Sequence, residues 1–240
     1  MERITIFDND MPEIKLHSRT ATQGEEYELV KQFIEYYVSQ FLKYDKGNNL
    51  AIFIEPKVAS GFPDIVFASY SPAILSNWSD ARKELETIEL KVLSFVLMKK
   101  GISGTAIMSA LQLPEKQVLC SLEKLLDANL IVRKKKAWYP NEMKAVYSVE
   151  RLESVEAKVA DLNRVVEQSF INTWFASHSY AVTSIANPHT STVRKFTDNG
   201  IGLYCKLDKF EKVVEAKKLS LPSSYLSLQF NEWIGNAFAN

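Results

Sequence analysis

Cysteine is nearly absent: two in 240 residues, Cys120 and Cys205, each without a C-x-x-C partner or a neighbouring histidine. That excludes a disulfide-built scaffold and argues against a structural zinc centre. The expected compartment is a reducing one, the cytoplasm. Glycine and proline number 8 each, too few for a collagen-like or low-complexity chain. Net charge is missing too, with 29 basic residues against 29 acidic ones. A protein built only to coat a polyanion is basic throughout, so any basic surface here must be local. No apolar run approaches the roughly 20 residues of a membrane helix. The first eight residues carry Glu2, Arg3 and Asp8 where a signal peptide needs an apolar core. No membrane partner is expected. What is present, 46% hydrophobic and 24% charged residues, suffices for one large or two small domains with a real core and excludes global disorder.

Residues 1–20 alternate short segments and predict an extended arm. Thr22 and Gln23 offer cap positions, Glu25 and Glu26 suit a helix start, and Val30, Phe33, Ile34, Tyr37, Val38 and Phe41 recur at the spacing of one helix face. Residues 50–55 and 64–68 read as two strands of a hairpin, and 69–80 as a loop or linker. The charge then segregates. Residues 81–140 hold 11 basic and 6 acidic side chains, and the rest of the chain carries the opposite excess. Within that segment the patterning predicts three helices, over about 82–99, 105–111 and from Pro114, followed by two short strands around Arg133, Lys134, Lys135 and Lys136. Leu119 and Leu126 are expected inside the third helix's apolar face, with Cys120 a packed thiol. Beyond it, 146–149, 154–159, 179–184 and 200–207 read as strands. Asp161 caps a helix to about Phe175, and 223–239 form a closing amphipathic helix. The expected fold class is α/β: a mixed sheet flanked by helices, over 1–80 and 141–240, with a mainly helical insertion over 81–140.

The chemistry concentrates on strands. Asp64 heads one apolar strand, and Glu156-Ala157-Lys158 lies in another. Alternation puts Glu156 and Lys158 on one face with Ala157 opposite, an arrangement that is costly when buried unless the charges are paired or hold a metal. Taken singly, Asp64 would serve as a turn cap and Glu156 with Lys158 as a solvated ion pair across strands.

On Pro63-Asp64, Glu156-Ala157-Lys158, and a following helix with Gln168 that leads to Ser179-Tyr180, the chain resembles the PD-(D/E)xK nuclease superfamily, the restriction-endonuclease-like fold. The resemblance covers residues 22–70 and 146–207. It implies that Asp64, Glu156 and the Ala157 carbonyl hold Mg2+ or Mn2+, and that Lys158 orients or deprotonates the attacking water. It also implies a glutamate from the first helix, where Glu25, Glu26 and Glu28 compete and Glu26 lies on the apolar face, and a supporting Gln168. Asp64 and Glu156 stand 92 positions apart, whereas members usually place a short hairpin between them; the basic segment accounts for the gap as an insertion.

That insertion resembles a winged helix-turn-helix. The resemblance implies base contacts from the third helix, with Glu115, Lys116, Gln117, Ser121 and Lys124 as candidates. Phosphate contacts are implied for Arg133, Lys134, Lys135 and Lys136 in the wing. His178 and His189 are expected to be structural. The expected function is metal-dependent hydrolysis of DNA phosphodiesters, duplex DNA being the partner and a homodimer the form that would cut both strands. Restriction, phage defence or repair is the setting by analogy. The alternatives are a non-catalytic DNA-binding regulator or scaffold keeping the nuclease fold, and a protein-interaction module. DNA against RNA stays open.

Overall fold

A computed structural model describes residues 3–20 and 23–239; Thr22, one of the two candidate caps, lies outside them. In chain order the elements are β1 (Ile4–Phe7), α1 (Glu25–Tyr44), β2 (Asn49–Ile54), β3 (Ile65–Tyr70), α2 (Thr87–Lys99), α3 (Gly104–Leu111), α4 (Glu115–Asp127), β4 (Ile131–Lys134) and β5 (Ala137–Pro140). They continue with α5 (Met143–Val146), β6 (Val149–Lys158), α6 (Leu162–Asn172), β7 (His178–Thr183), α7 (Thr190–Asp198), β8 (Gly202–Lys206), β9 (Phe210–Val214) and α8 (Tyr225–Phe238). Two compact units result: residues 1–71 with 149–223, and residues 72–148 with 224–240. Among the described residues no helix is long and apolar enough to cross a membrane.

The first unit is α/β. Its seven strands run in the order β1-β2-β3-β6-β7-β8-β9. The sheet is mixed: β1 is parallel to β2, β2, β3 and β6 are successively antiparallel, β6, β7 and β8 are parallel, and β9 returns antiparallel. Alternation sorts the side chains between two cores. Leu29, Val30, Phe33 and Ile34 of α1 pack on Ile52, Phe67, Val155, Ala157 and Tyr180. On the other face Val165 and Val166 of α6 and Phe196 of α7 pack on Ala181, Leu203 and Cys205. Helices thus flank the sheet on both faces, the arrangement that parallel β-α-β crossovers produce. Phe33 anchors the α1 side, edge-on to Tyr204 at 5.0 Å and Phe210 at 5.2 Å, a favoured ring geometry.

Several elements differ from the sequence expectation. The arm joins the sheet, because Ile4 to Phe7 pair in register with Leu50 to Phe53. The strand read over 146–149 does not form: Val146 ends α5, and only Val149 joins the strand read over 154–159, which starts five residues earlier as the ten-residue β6. Arg151 and Glu153 interrupt the apolar pattern there, yet lie two apart on one face and pair with each other, so the strand carries its charges through the sheet. α7 and β9 are short and bury few side chains: α7 buries Phe196 alone, and β9 only its ends. Gly24, with no side-chain cap, precedes α1.

Gly202 of β8 stands opposite Tyr180 of β7. A Cβ there would lie 2.1 Å from the Tyr180 ring. The ring is wholly buried, and its hydroxyl is held by Glu215 at 2.5 Å, so it has no room to retreat. Gly202→Ala is expected to cost about 1–3 kcal/mol of unfolding free energy, read by denaturant titration. A cost below measurement error would show that Tyr180 is mobile.

The second unit is helical. Ser103 caps α3 by accepting from the Ala106 N–H at 3.2 Å, and Pro114 stands at the N-cap of α4. β4 and β5 form a hairpin, to which Ile102 adds a one-residue bridge through Trp138. Leu119 and Leu126 are 55% and 44% exposed and Cys120 is exposed, contrary to the inward expectation. Val118, Ser121, Leu122 and Leu125 form the buried stripe instead. The closing helix α8 belongs to this unit, packed on α2. Arg82, counted above among the segment's basic charges, is buried at 2% exposure and paired with Glu232 of α8.

Candidate active site

The hairpin β2–β3 and the strand β6 bring Asp64, Glu156 and Lys158 to one end of the sheet. Asp64 immediately precedes β3. Its carbonyl accepts from the Glu55 N–H at 3.0 Å, which closes the end of the hairpin. Pairing between β3 and β6 stops at Ile65 and Val155. Beyond that point the Ala157 N–H donates to Asp64 Oδ2 at 2.7 Å. The aspartate side chain thus takes up a donor that the departing strand leaves without a ladder partner.

Glu156 projects to the α6 side of the sheet and is 3% exposed. Its Oε1 accepts from Asn172 Nδ2 at 2.7 Å. Lys158 does not turn to Glu156. It bonds Glu26 Oε2, from the first turn of α1, at 2.7 Å. A solvated ion pair between Glu156 and Lys158 is therefore not what forms. Glu26 reaches the site but stays half-exposed, holding the lysine.

Burial pushes the Asp64 carboxyl up to about 6, against the pull of the Ala157 N–H and the Lys158 charge. Glu156 is pushed up to about 8, first by burial and then by the neighbouring Asp64 carboxylate. Glu55, at the end of β2, adds to both shifts. It is 9% exposed, takes a left-handed backbone conformation (φ +47°) and pairs with Arg19. Across the described residues Asp64 Oδ1 and Glu156 Oε2 accept no protein hydrogen bond. Two hard oxygen donors are left, the type a divalent cation of the Mg2+ class takes. No group of three or more His, Cys, Asp or Glu side chains stands close enough to hold a metal among the described residues.

These residues open onto a cleft of about 350 Å3 lined by Glu26, Glu55, Asp64, Lys158, Arg164 and Gln168. Gln168 lines the cleft, and its buried Oε1 has no hydrogen-bond partner among the described residues. Asn172, one turn further along α6, makes the bond to Glu156. Sequence reasoning missed Asn172 and Glu55. The i, i+4 spacing from Gln168 to Asn172 was the available signal for the first. The hairpin register, which sets Glu55 opposite Asp64, was the signal for the second.

The helical unit distributes its predicted contacts unevenly. Lys116 and Gln117 are exposed on the first turn of α4, and Arg133, Lys134, Lys135 and Lys136 are exposed on the hairpin. Arg133 lies over the Trp138 ring and Lys134 over Tyr139, which orders part of the hairpin's charge. Ser121 is a correction: it is 1% exposed and donates to the buried Glu89 at 2.7 Å, so it faces the helical core rather than a base edge. Lys124 donates to the Glu84 carbonyl at 3.3 Å. His178 is held down to about 4 by burial, then by Arg151, and His189 caps α7; both are structural. Compared with known proteins, the chain matches no family model, no curated protein and no solved structure.

Proposed function

We propose that the chain is a metal-dependent nuclease of PD-(D/E)xK type that hydrolyses DNA phosphodiester bonds, with its helical unit acting as a winged helix-turn-helix on duplex DNA. One observation carries the reading: two carboxylates, the buried Glu156 and the half-buried Asp64, stand at the same end of neighbouring strands. Each keeps one unbonded oxygen, and a lysine follows two residues on. Burying two acids side by side is unfavourable in an empty site, and a divalent cation between them removes that cost.

Asp64 Oδ1 and Glu156 Oε2 would hold Mg2+ or Mn2+, with the Ala157 carbonyl as the third oxygen. The bound ion would supply an activated water and offset charge on the phosphate. Asn172 fixes the rotamer of Glu156, and Glu26 holds Lys158 at the mouth of the cleft, where its ammonium would meet the attacking water or the phosphate. Three helices, a hairpin and the bridge from Ile102 to Trp138 support the winged-helix assignment. The exposed wing cations support the phosphate contacts. A second reading, a DNA-binding scaffold with lost catalysis, draws on the engagement of Lys158 with Glu26 and on the absence of a third metal-capable side chain among the described residues.

Cleavage of supercoiled plasmid and a labelled duplex in Mg2+ or Mn2+, with EDTA as control, tests it. Metal-dependent cutting is expected, falling by about 10²–10⁴ in Lys158→Ala. Salt-sensitive duplex binding with no cutting would establish the scaffold reading instead.

A further inference from the structure

The cleft's cations are not equivalent. Lys158 is engaged by Glu26. Arg19 is engaged by Glu55 and lies over the Phe62 ring at 5.3 Å. Arg164 lines the same cleft, is exposed, and its side chain has no ion pair or hydrogen bond among the described residues; only its backbone N–H is used, by the capping Asp161 at 3.1 Å. It also stands in the first turn of α6, where a positive charge opposes the helix dipole and an acid is the ordinary choice. The capping Asp161 answers the helix end through the backbone N–H, and among the described residues no acid pairs with the Arg164 guanidinium itself.

The surroundings supply a reason. Glu26, Glu55 and Asp64 line the cleft, with the buried Glu156 beside Asp64, and a phosphodiester strand entering it is repelled by each one that is ionised. A metal between Asp64 and Glu156 would relieve the reacting phosphate only. The flanking phosphates need a cation of their own, and a guanidinium is well shaped for bidentate contact with phosphate oxygens.

We propose that Arg164 is the positioning residue that holds a backbone phosphate next to the reacting one, so that the cleft takes a nucleic-acid strand rather than an isolated phosphate ester. The assignment rests on the nuclease reading for the identity of the reacting phosphate, and on the geometry of the cleft for the cation. Arg164 touches the substrate away from the bond that breaks. Its loss weakens binding and leaves the chemical step nearly intact.

The test uses the full-length protein with Arg164→Gln, Arg164→Lys and, as a surface control, Arg194→Gln. Arg194 lies on α7, paired with Asp198. Binding to a fluorescein-labelled single strand and to the same sequence as a duplex is measured in Ca2+ across a salt series, beside KM and kcat for cleavage in Mg2+. The expected result for Arg164→Gln is a dissociation constant and KM raised about tenfold, kcat within about threefold, and a salt slope lower by about one. Arg164→Lys recovers most of the affinity, and Arg194→Gln behaves as wild type. Unchanged KM, affinity and slope in Arg164→Gln overturn the proposal even if wild type cleaves. If wild type fails to cleave but Arg164→Gln still weakens binding and flattens the slope, the phosphate contact stands and the nuclease reading falls. Wild-type protein that neither cleaves nor binds overturns both.

Discussion

Glu156→Gln is expected to make the protein more stable and less active at once. Glutamine keeps the size of the side chain and an oxygen for Asn172 Nδ2, but removes the buried charge. Cleavage in Mg2+ should fall on the order of 10³-fold, the scale of losing one electrostatic contributor to a phosphoryl or acyl transition state. In metal-free buffer the same variant should gain on the order of 2 kcal/mol at pH 8, raising the melting temperature by about 4–8 °C. The sign follows from the direction of the shift. Glu156 moves from its ordinary 4.5 to about 8 in the folded protein, so between those values the native state holds a proton that the unfolded chain has released. Wild-type stability therefore declines as pH rises through that window, and full stability lies below it. Glu156→Gln removes this contribution and flattens the profile, leaving a smaller decline from Asp64, which moves from 3.8 to about 6. Mg2+ should raise the wild-type melting temperature and leave the variant's nearly unchanged. Thermal melts from pH 4.5 to 8.5 with and without Mg2+ read all of this. A Glu156→Gln protein that melts lower than wild type at pH 8 would make Glu156 a structural acid and remove the support for a metal there.

Arg82→Ala is expected to have the largest effect on stability, a loss of about 3–5 kcal/mol. Arg82 donates from Nε to Glu232 Oε2 at 2.9 Å, and from its Nη atoms to the Ala145 and Val146 carbonyls at 3.0 and 3.1 Å. Its guanidinium lies 3.7 Å over the Trp78 ring. Removing it strands Glu232, itself 5% exposed, as a buried charge together with two carbonyls. Replacing both partners tests the cause: Arg82→Met with Glu232→Leu removes the stranded charge and should recover most of the loss, since a buried ion pair is worth little against well-packed apolar side chains. Urea titration of the two proteins decides it. A loss under about 1 kcal/mol in Arg82→Ala would show that water reaches Glu232.

Arg82 also marks where a linear reading stops. In the sequence it is one basic residue in a segment rich in them. Only the packing of α8 in the same unit, from the far end of the chain, turns it into a buried pair. Ser121 is similar. Its position on α4 was legible, but whether it faced outward depended on Glu89, 32 residues earlier. Leu119 and Leu126 went the other way, because four leucines and a valine leave α4 more apolar positions than its buried stripe uses.

The local period of the chain was enough for the α/β class, the hairpin of β2 and β3, the strands β7 and β8, and the helices α1, α3, α4, α6 and α8. These elements bury one face or lie wholly inside, so apolar spacing records them directly. The same spacing placed Asp64 at a strand head and Glu156 opposite Ala157. Short elements that bury few side chains, α7 and β9, escaped it, and for the extended arm spacing did not say that β1 pairs with β2. Tertiary structure alone decided three things. It extended β6 back through its charged stretch to Val149, by pairing that stretch with β3. It gave the closing helix to the helical unit. At the site it set Lys158 against Glu26, Asn172 against Glu156 and Glu55 beside Asp64, and left the Arg164 guanidinium without an ion pair among the described residues. Each of these depends on which distant side chain arrives within hydrogen-bond or ion-pair distance, and spacing along a single chain carries no information about that.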